Sequence, residues 1–250
     1  MLKNRIIPCL LIENNKLVKT EKFKNTKYVG DYLNAIKIFN DKEVDELIVL
    51  DISASKNNRG PNFKIIEKFS SECFMPVAYG GGISSLEHAK KIFKLGIEKI
   101  CIQSAAFDNP NFIKELSNYF GSQSIILSLD IKKNIFGKNK IFRSDKKKLL
   151  REDWKELLKK FVDVGIGEIL LNSVDNDGTM KGMDLKLINE ASKFLNIPLV
   201  SIGGVGKIDD IKNAIEAGSD AVAAGSYFVF YGSHKAVLIS YPKNKFLREL

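Results

Sequence analysis

Among the 250 residues, the position best placed to do chemistry is Asp130, which closes the apolar run Ser124–Ile131, SIILSLDI. A run rich in Ile and Leu that ends in a polar residue reads as a strand buried on both faces, with its C-terminal end opening into a site. A carboxyl there can be desolvated until it titrates near neutrality and serves as a general acid or base. The same pattern occurs about 119 residues earlier as RIIPCLLI, where Leu11 stands at the position equivalent to Asp130. One acid therefore occupies a position that a symmetric site would fill twice. Further acids at strand ends are Asp51, Asp175 and Asp177. Capping the next helix is the expected role of Asp175, whereas Asp177-Gly178-Thr179 closes a short loop able to hold a phosphate through its amides or to orient a substrate.

Two glycine turns supply anion-binding chemistry. Gly80-Gly81-Gly82 and Gly203-Gly204 leave backbone amides free of any Cβ, so an anion can approach them at a helix N-terminus. Each turn is followed one strand later by a small-residue cluster, Gln103-Ser104-Ala105 and Ala224-Gly225-Ser226. The pairing predicts two phosphate cups, and thus a substrate phosphorylated at both ends. At the opposite ends of the strands stand Arg5, Glu46, Lys99 and Glu168. Such charges are ordinarily solvated, but near a barrel axis two cations and two acids can close into a neutral ring, provided every charge is paired.

These residues are positioned by an alternation of apolar runs and amphipathic stretches along the whole chain. Strands are predicted near Ile6–Ile12, Glu46–Ile52, Pro76–Tyr79, Lys99–Gln103, Ser124–Ile131, Glu168–Ser173, Pro198–Ile202 and Ala221–Ala224. Helices are predicted over Leu33–Asn40, Phe63–Ser71, Leu86–Leu95, Phe112–Tyr119, Trp154–Val164, Leu185–Phe194 and Ile208–Ala217. Eight strand-helix units on a chain of this length describe an α/β protein with a (β/α)8 TIM barrel. An open doubly wound sheet competes, but the internal repeat favours the barrel. DELIVLDIS answers GEILLNSVD, YGGGI answers IGGV, and SAA answers AGS, all about 120 residues apart and in the same order. The expectation is two half-barrels closing as one domain over residues 1–250. Two segments are long for plain connections: 13–30, read as a lid, and 132–151, which carries nine basic residues.

The net charge of +9 is spread as lysine over the helices without aromatic interleaving, which argues against nucleic acid and suits small anionic ligands. Cys9, Cys73 and Cys101 show no paired spacing, and His88 and His234 stand alone, so neither a metal site nor a cofactor is expected. No membrane span or cleavable leader is legible, and a cytoplasmic location is expected.

RIIPCLL, DELIVLDISAS, YGGGI, FGSQSIILSLD, GEILLNSVDNDGT, GGVGK and AAGS together resemble the cyclase subunit, HisF, of imidazole glycerol phosphate synthase. The resemblance implies an ammonia-using partner of a separate glutaminase (HisH-like) subunit in a heterodimer. Ammonia would pass a charged gate of Arg5, Glu46, Lys99 and Glu168 and travel through the barrel to a bis-phosphorylated substrate. It also implies that Asp130 is one of two catalytic acids and Lys19 a lid lysine. Asp51, Gly82, Gln103, Ser104, Asp177, Gly178, Gly204, Gly225 and Ser226 would be substrate- or phosphate-binding. The other catalytic acid falls on Leu11, Gln103 replaces a usual asparagine, and the C-terminal FVFYGSHKAVLISYP departs from the family's amphipathic last helix. These departures look more like the paralogues associated with surface-polysaccharide clusters and acetamidino-sugar synthesis. A phosphoribosyl isomerase and a non-catalytic, phosphate-binding activator of a glutaminase are the competing readings.

Overall fold

The computed structural model describes residues 4–232 and 234–242. Eight parallel strands close on themselves: β1 (Arg5–Glu13), β2 (Leu47–Asp51), β3 (Val77–Gly80), β4 (Lys99–Ile102), β5 (Ile125–Lys133), β6 (Glu168–Ser173), β7 (Leu199–Ile202) and β8 (Ala221–Ala224). Each pairs with its neighbours in sequence, and β1 pairs with β8, completing the barrel. Register is set in rows, with Asn172 on β6 level with Asp130 on β5 and with Ile202 on β7.

Both faces of these strands are buried, which is why they read as continuous apolar runs rather than as alternation. Outward side chains such as Ile6, Leu10, Leu47 and Val49 meet the helices, while Ile7, Cys9, Ile48, Ala78, Ile126 and Leu170 fill the interior. Seven helices cover the outside: α1 (Tyr32–Asp41), α2 (Phe63–Ser70), α3 (Leu86–Lys94), α4 (Pro110–Phe120), α5 (Trp154–Asp163), α6 (Leu185–Ser192) and α7 (Ile208–Glu216). The first six start where an Asp, Asn or Ser side chain accepts a backbone N–H within the first turn: Asp31, Asn62, Ser85, Asn109, Asp153 and Asp184. Asp184, not Asp175, thus caps the helix after β6. The Asp175 carboxylate instead accepts the Lys133 N–H at 2.8 Å and ties the ends of β5 and β6 together.

Both long segments are ordered hairpins. Lys16–Glu21 folds back antiparallel on β1 and pairs with Lys24–Gly30. β5 runs three residues beyond Asp130 and pairs with Asn139–Arg143, which in turn pairs with Lys148–Leu149. The hairpins meet over the mouth, with the Phe23 and Phe142 rings 6.1 Å apart. After β8, the described residues form a four-residue helix, Ser226–Val229, and a small antiparallel pair, Phe230–Tyr231 with Ala236–Val237, in place of a long last helix. The chain then returns along the barrel to Tyr241, whose hydroxyl donates to the Ile6 carbonyl at 2.8 Å. No described helix is long and apolar enough to cross a membrane.

Tyr241→Phe removes that clasp while keeping the ring. One lost buried hydrogen bond costs about 1 kcal/mol, so the melting temperature of this 250-residue chain should fall by about 2–4 °C.

Candidate functional site

At the N-terminal end of the barrel the four charged residues face one another. Arg5 donates to Glu46 at 2.5 Å and to Glu168, and Lys99 donates to Glu46 at 3.0 Å and Glu168 at 2.8 Å. Cations and anions alternate, so every acid has two cationic partners. The two glutamates are nearly buried, while Arg5 and Lys99 remain partly exposed. This pairing is what makes charge tolerable at the base of a packed interior.

At the C-terminal end lies a cavity of about 640 Å³. Its wall includes both glycine turns, both small-residue clusters, Leu11, Asp51, Asp130, Asp177 and Gly178, together with Lys19, Lys22, Lys24, Lys56, Lys132 and Lys147. The sequence-expected residues of the mouth are therefore brought to one place, and the two glycine turns stand on opposite sides of it. At Gly204 φ is +105°, and a Cβ would collide with the Gly182 carbonyl, so neither strain nor space admits another residue. Gln103 and Gly225 lead into the short helices Ser104–Asp108 and Ser226–Val229, giving the two halves matching ends.

Asp130 is buried and accepts a hydrogen bond from Gln103 Nε2 at 2.6 Å. The Gln103 carbonyl oxygen in turn accepts from Ser144 Oγ at 3.1 Å, which fixes the amide's orientation. Burial pushes the Asp130 carboxyl up to about 7, against the opposing pull of Gln103; the nearby Asp177 charge adds to the rise and Asn172 opposes it. A carboxyl poised there can give or take a proton near neutral pH. Leu11 lines the same cavity from β1 and offers no proton.

Lys19 reaches down from its hairpin, wholly buried, and donates to the Cys9 carbonyl at 2.5 Å. It lies so close to Gly225 that any side chain there would strike its ammonium. Burial lowers its pKa, and the Asp177 charge works against that shift. Asp177 itself is raised to about 6 by burial, despite the Lys19 cation. Its backbone carbonyl holds the hairpin tip through the Lys22 N–H at 2.9 Å. Asp51 is more committed: Oδ1 accepts from the Ser53 N–H, the Ser53 hydroxyl and the Ala54 N–H, so this acid mainly shapes the turn after β2. Burial raises all three cysteine thiols, Cys9 to about 11 and Cys73 to about 12, so none is a ready nucleophile.

Sequence reasoning missed Asn172 and Ser144. Asn172 reads only as the polar end of a strand, and Ser144 lies within a lysine-rich segment whose pairing with β5 has no local signature.

A family model for "Histidine biosynthesis protein" matches residues 5–235. The chain belongs to that family. Its relatives include a Pseudomonas aeruginosa protein named "Putative imidazole glycerol phosphate synthase subunit hisF2", 48% identical over 97% of each chain. A Leptospira borgpetersenii protein named "Putative imidazole glycerol phosphate synthase subunit HisF" is 47% identical over 97% of this chain and 96% of its own. The "Imidazole glycerol phosphate synthase subunit HisF" of Exiguobacterium sibiricum is 37% identical over 91% of each. The chain is thus a HisF-like member of the histidine biosynthesis family, a family of TIM barrels.

Two predictions concern the ends of this barrel. Arg5→Met leaves Lys99 paired with both glutamates, so the loss should be about 1–3 kcal/mol in urea unfolding, below the cost of stranding a buried charge outright. For Asp130, the folded pKa of about 7 lies above the ordinary carboxylate value of 3.8. Between these values the folded state holds a proton that the unfolded state has lost, so stability falls as pH rises. Asp130→Asn should therefore be more stable than the parent at about pH 8, by roughly 2–4 kcal/mol, with the difference vanishing below about pH 4.

Proposed function

We propose that the whole chain forms one barrel domain that serves as the synthase subunit of a two-protein, cytoplasmic glutamine amidotransferase. A HisH-like glutaminase docks at the charged ring and releases ammonia, which crosses the interior to a bis-phosphorylated substrate held at the mouth. The observation that carries this reading is the pair of glycine-lined cups on opposite sides of one cavity, with the ionisable Asp130 between them. Lys19, Gln103, Ser104, Gly178, Gly225 and Ser226 would contact the phosphates or the molecule between them, and Asp130 would move the proton. The raised thiol pKa values support an external source of ammonia, since no cysteine here is suited to attack glutamine.

The reaction type is that of imidazole glycerol phosphate synthase, a lyase and cyclase that forms imidazole glycerol phosphate and an aminoimidazole carboxamide ribotide. Leu11 supports a diverged version. Cyclisation needs protons moved at two places, and losing one member of an acid-base pair costs on the order of 10² to 10⁴ in rate. For such a diverged version an amidino-sugar (lipopolysaccharide-type) acceptor is the proposed destination of the ammonia. Leu11 also favours a second reading, a phosphate-binding activator that leaves chemistry to its partner.

Purified barrel should stimulate glutamine hydrolysis by its co-purifying glutaminase. Given the histidine-pathway bis-phosphate and an ammonium salt, it should turn over slowly, lose that turnover in Asp130→Asn, and gain at least about tenfold in Leu11→Asp. Stimulation that survives Asp130→Asn with no turnover in any variant would leave the activator reading in place of the synthase.

A further inference from the structure

Side chains point inward at every second residue of a barrel strand, so β6 presents Glu168, Leu170 and Asn172 in succession from the ring to the mouth. At about 3.3 Å per residue Asn172 lies roughly 13 Å farther along the strand than Glu168, which at a strand tilt of about 36° is roughly 11 Å along the barrel axis. Between them the interior is lined by Ile7, Ile48, Ala78, Ile126, Leu170 and Val200. The polar exception is Ser128, already hydrogen-bonded to Cys101. Above Ser128, neutral ammonia rising through this space meets a polar layer at Gln103, Asp130 and Asn172.

Within that layer the hydrogen-bonding capacity is unequally used. Gln103 is engaged at both ends of its amide, by Asp130 and by Ser144. Asn172 is more than nine-tenths buried and its side chain bears on Asp130, yet its Oδ1 has no partner. That oxygen faces the backbone of Gly203, where a Cβ would lie 3.0 Å from it, at the inner edge of the cup after β7. A buried, unpartnered carbonyl oxygen costs free energy unless an N–H or O–H arrives to fill it.

We propose that Asn172 Oδ1 is the acceptor on which ammonia docks as it leaves the barrel interior. Ammonia donates one N–H to this oxygen and keeps its lone pair free for the molecule in the mouth. The neighbouring Asp130 is unsuited to that task, because a carboxylate can protonate into a partner that exchanges protons with ammonia, and ammonium has no lone pair. An uncharged amide holds the nucleophile without altering its protonation. This assignment rests on the proposed ammonia route and adds to it the residue that receives the cargo.

The same acceptor chemistry would suit an N–H of the phosphorylated substrate, and steady-state kinetics separates the two. Ammonium chloride and the bis-phosphate are each varied with the other saturating, in the parent protein, in Asn172→Leu, which keeps the bulk and drops the acceptor, and in Asn172→Ser. The expected result for Asn172→Leu is a rise of about five- to tenfold in KM for ammonium, with KM for the bis-phosphate within about twofold. Asn172→Ser, retaining a shorter acceptor, shows a smaller rise and carries the test if the leucine variant does not fold. A rise confined to the bis-phosphate KM, equal rises in both variants, or no rise overturns the assignment while sparing the route. Absence of ammonium-dependent turnover in the parent protein overturns the route, and the assignment with it.

Discussion

Desolvation governs this molecule. A closed barrel places its axis out of reach of water, so an ionisable group there is held charged by a partner, held neutral by its surroundings, or left at an intermediate pKa. All three outcomes occur along one axis. At the base, Arg5, Glu46, Lys99 and Glu168 satisfy one another in an alternating ring. In the middle, burial holds the Cys9 and Cys101 thiols neutral. At the mouth Asp130 has hydrogen bonds but no cation of its own, and its carboxyl rises to about 7. The same burial that would be a liability in an ordinary core thus creates a group that changes protonation near neutrality.

The lysines of the mouth follow from the same constraint. Lys19 is buried and the Asp177 charge lies near enough to act on it, so the hairpin that carries it is tied to the loop after β6 by electrostatics as well as by the Lys22 N–H. Its ammonium sits against Gly225, where a bound phosphate would come within reach of it. The cavity is lined by six lysines, a setting that would suit the proposed doubly anionic ligand.

Much of this was legible in the sequence because parallel strands buried on both faces write themselves as apolar runs. RIIPCLLI, GEILLNS and IILSLD each fall within a residue or two of a strand, and the charges at their starts mark the base of the barrel. The grouping of the glycine turns and small-residue clusters around one cavity was legible because two pairs of such clusters repeat at one spacing. What escaped was set by tertiary pairing. The hairpin 16–30 turns through Lys22, Phe23 and Asn25 in the left-handed region, which Asn favours but neither Lys nor Phe announces. The strand Asn139–Arg143 exists because β5 continues past Asp130 and offers it an edge. Asn172 reads as the polar end of a strand; only its register with Asp130 on one side and Ile202 on the other reveals that its amide enters the barrel.

The half-barrel repeat gives the asymmetry at Leu11 its meaning. The two halves share the glycine turns and the short helices after β4 and β8, and on the proposed reading those features would bind by shape and by amide dipoles, which tolerate drift in the side chains around them. Proton transfer has no such tolerance, since it requires one ionisable group at one place. With Leu11 on one side and Asp130 on the other, the halves would be equivalent for holding the proposed molecule with two anionic ends but not for reacting with it. Such a site would fix which end of its ligand is worked upon, because only the orientation that brings the reacting atoms to β5 and β6 would reach Asp130.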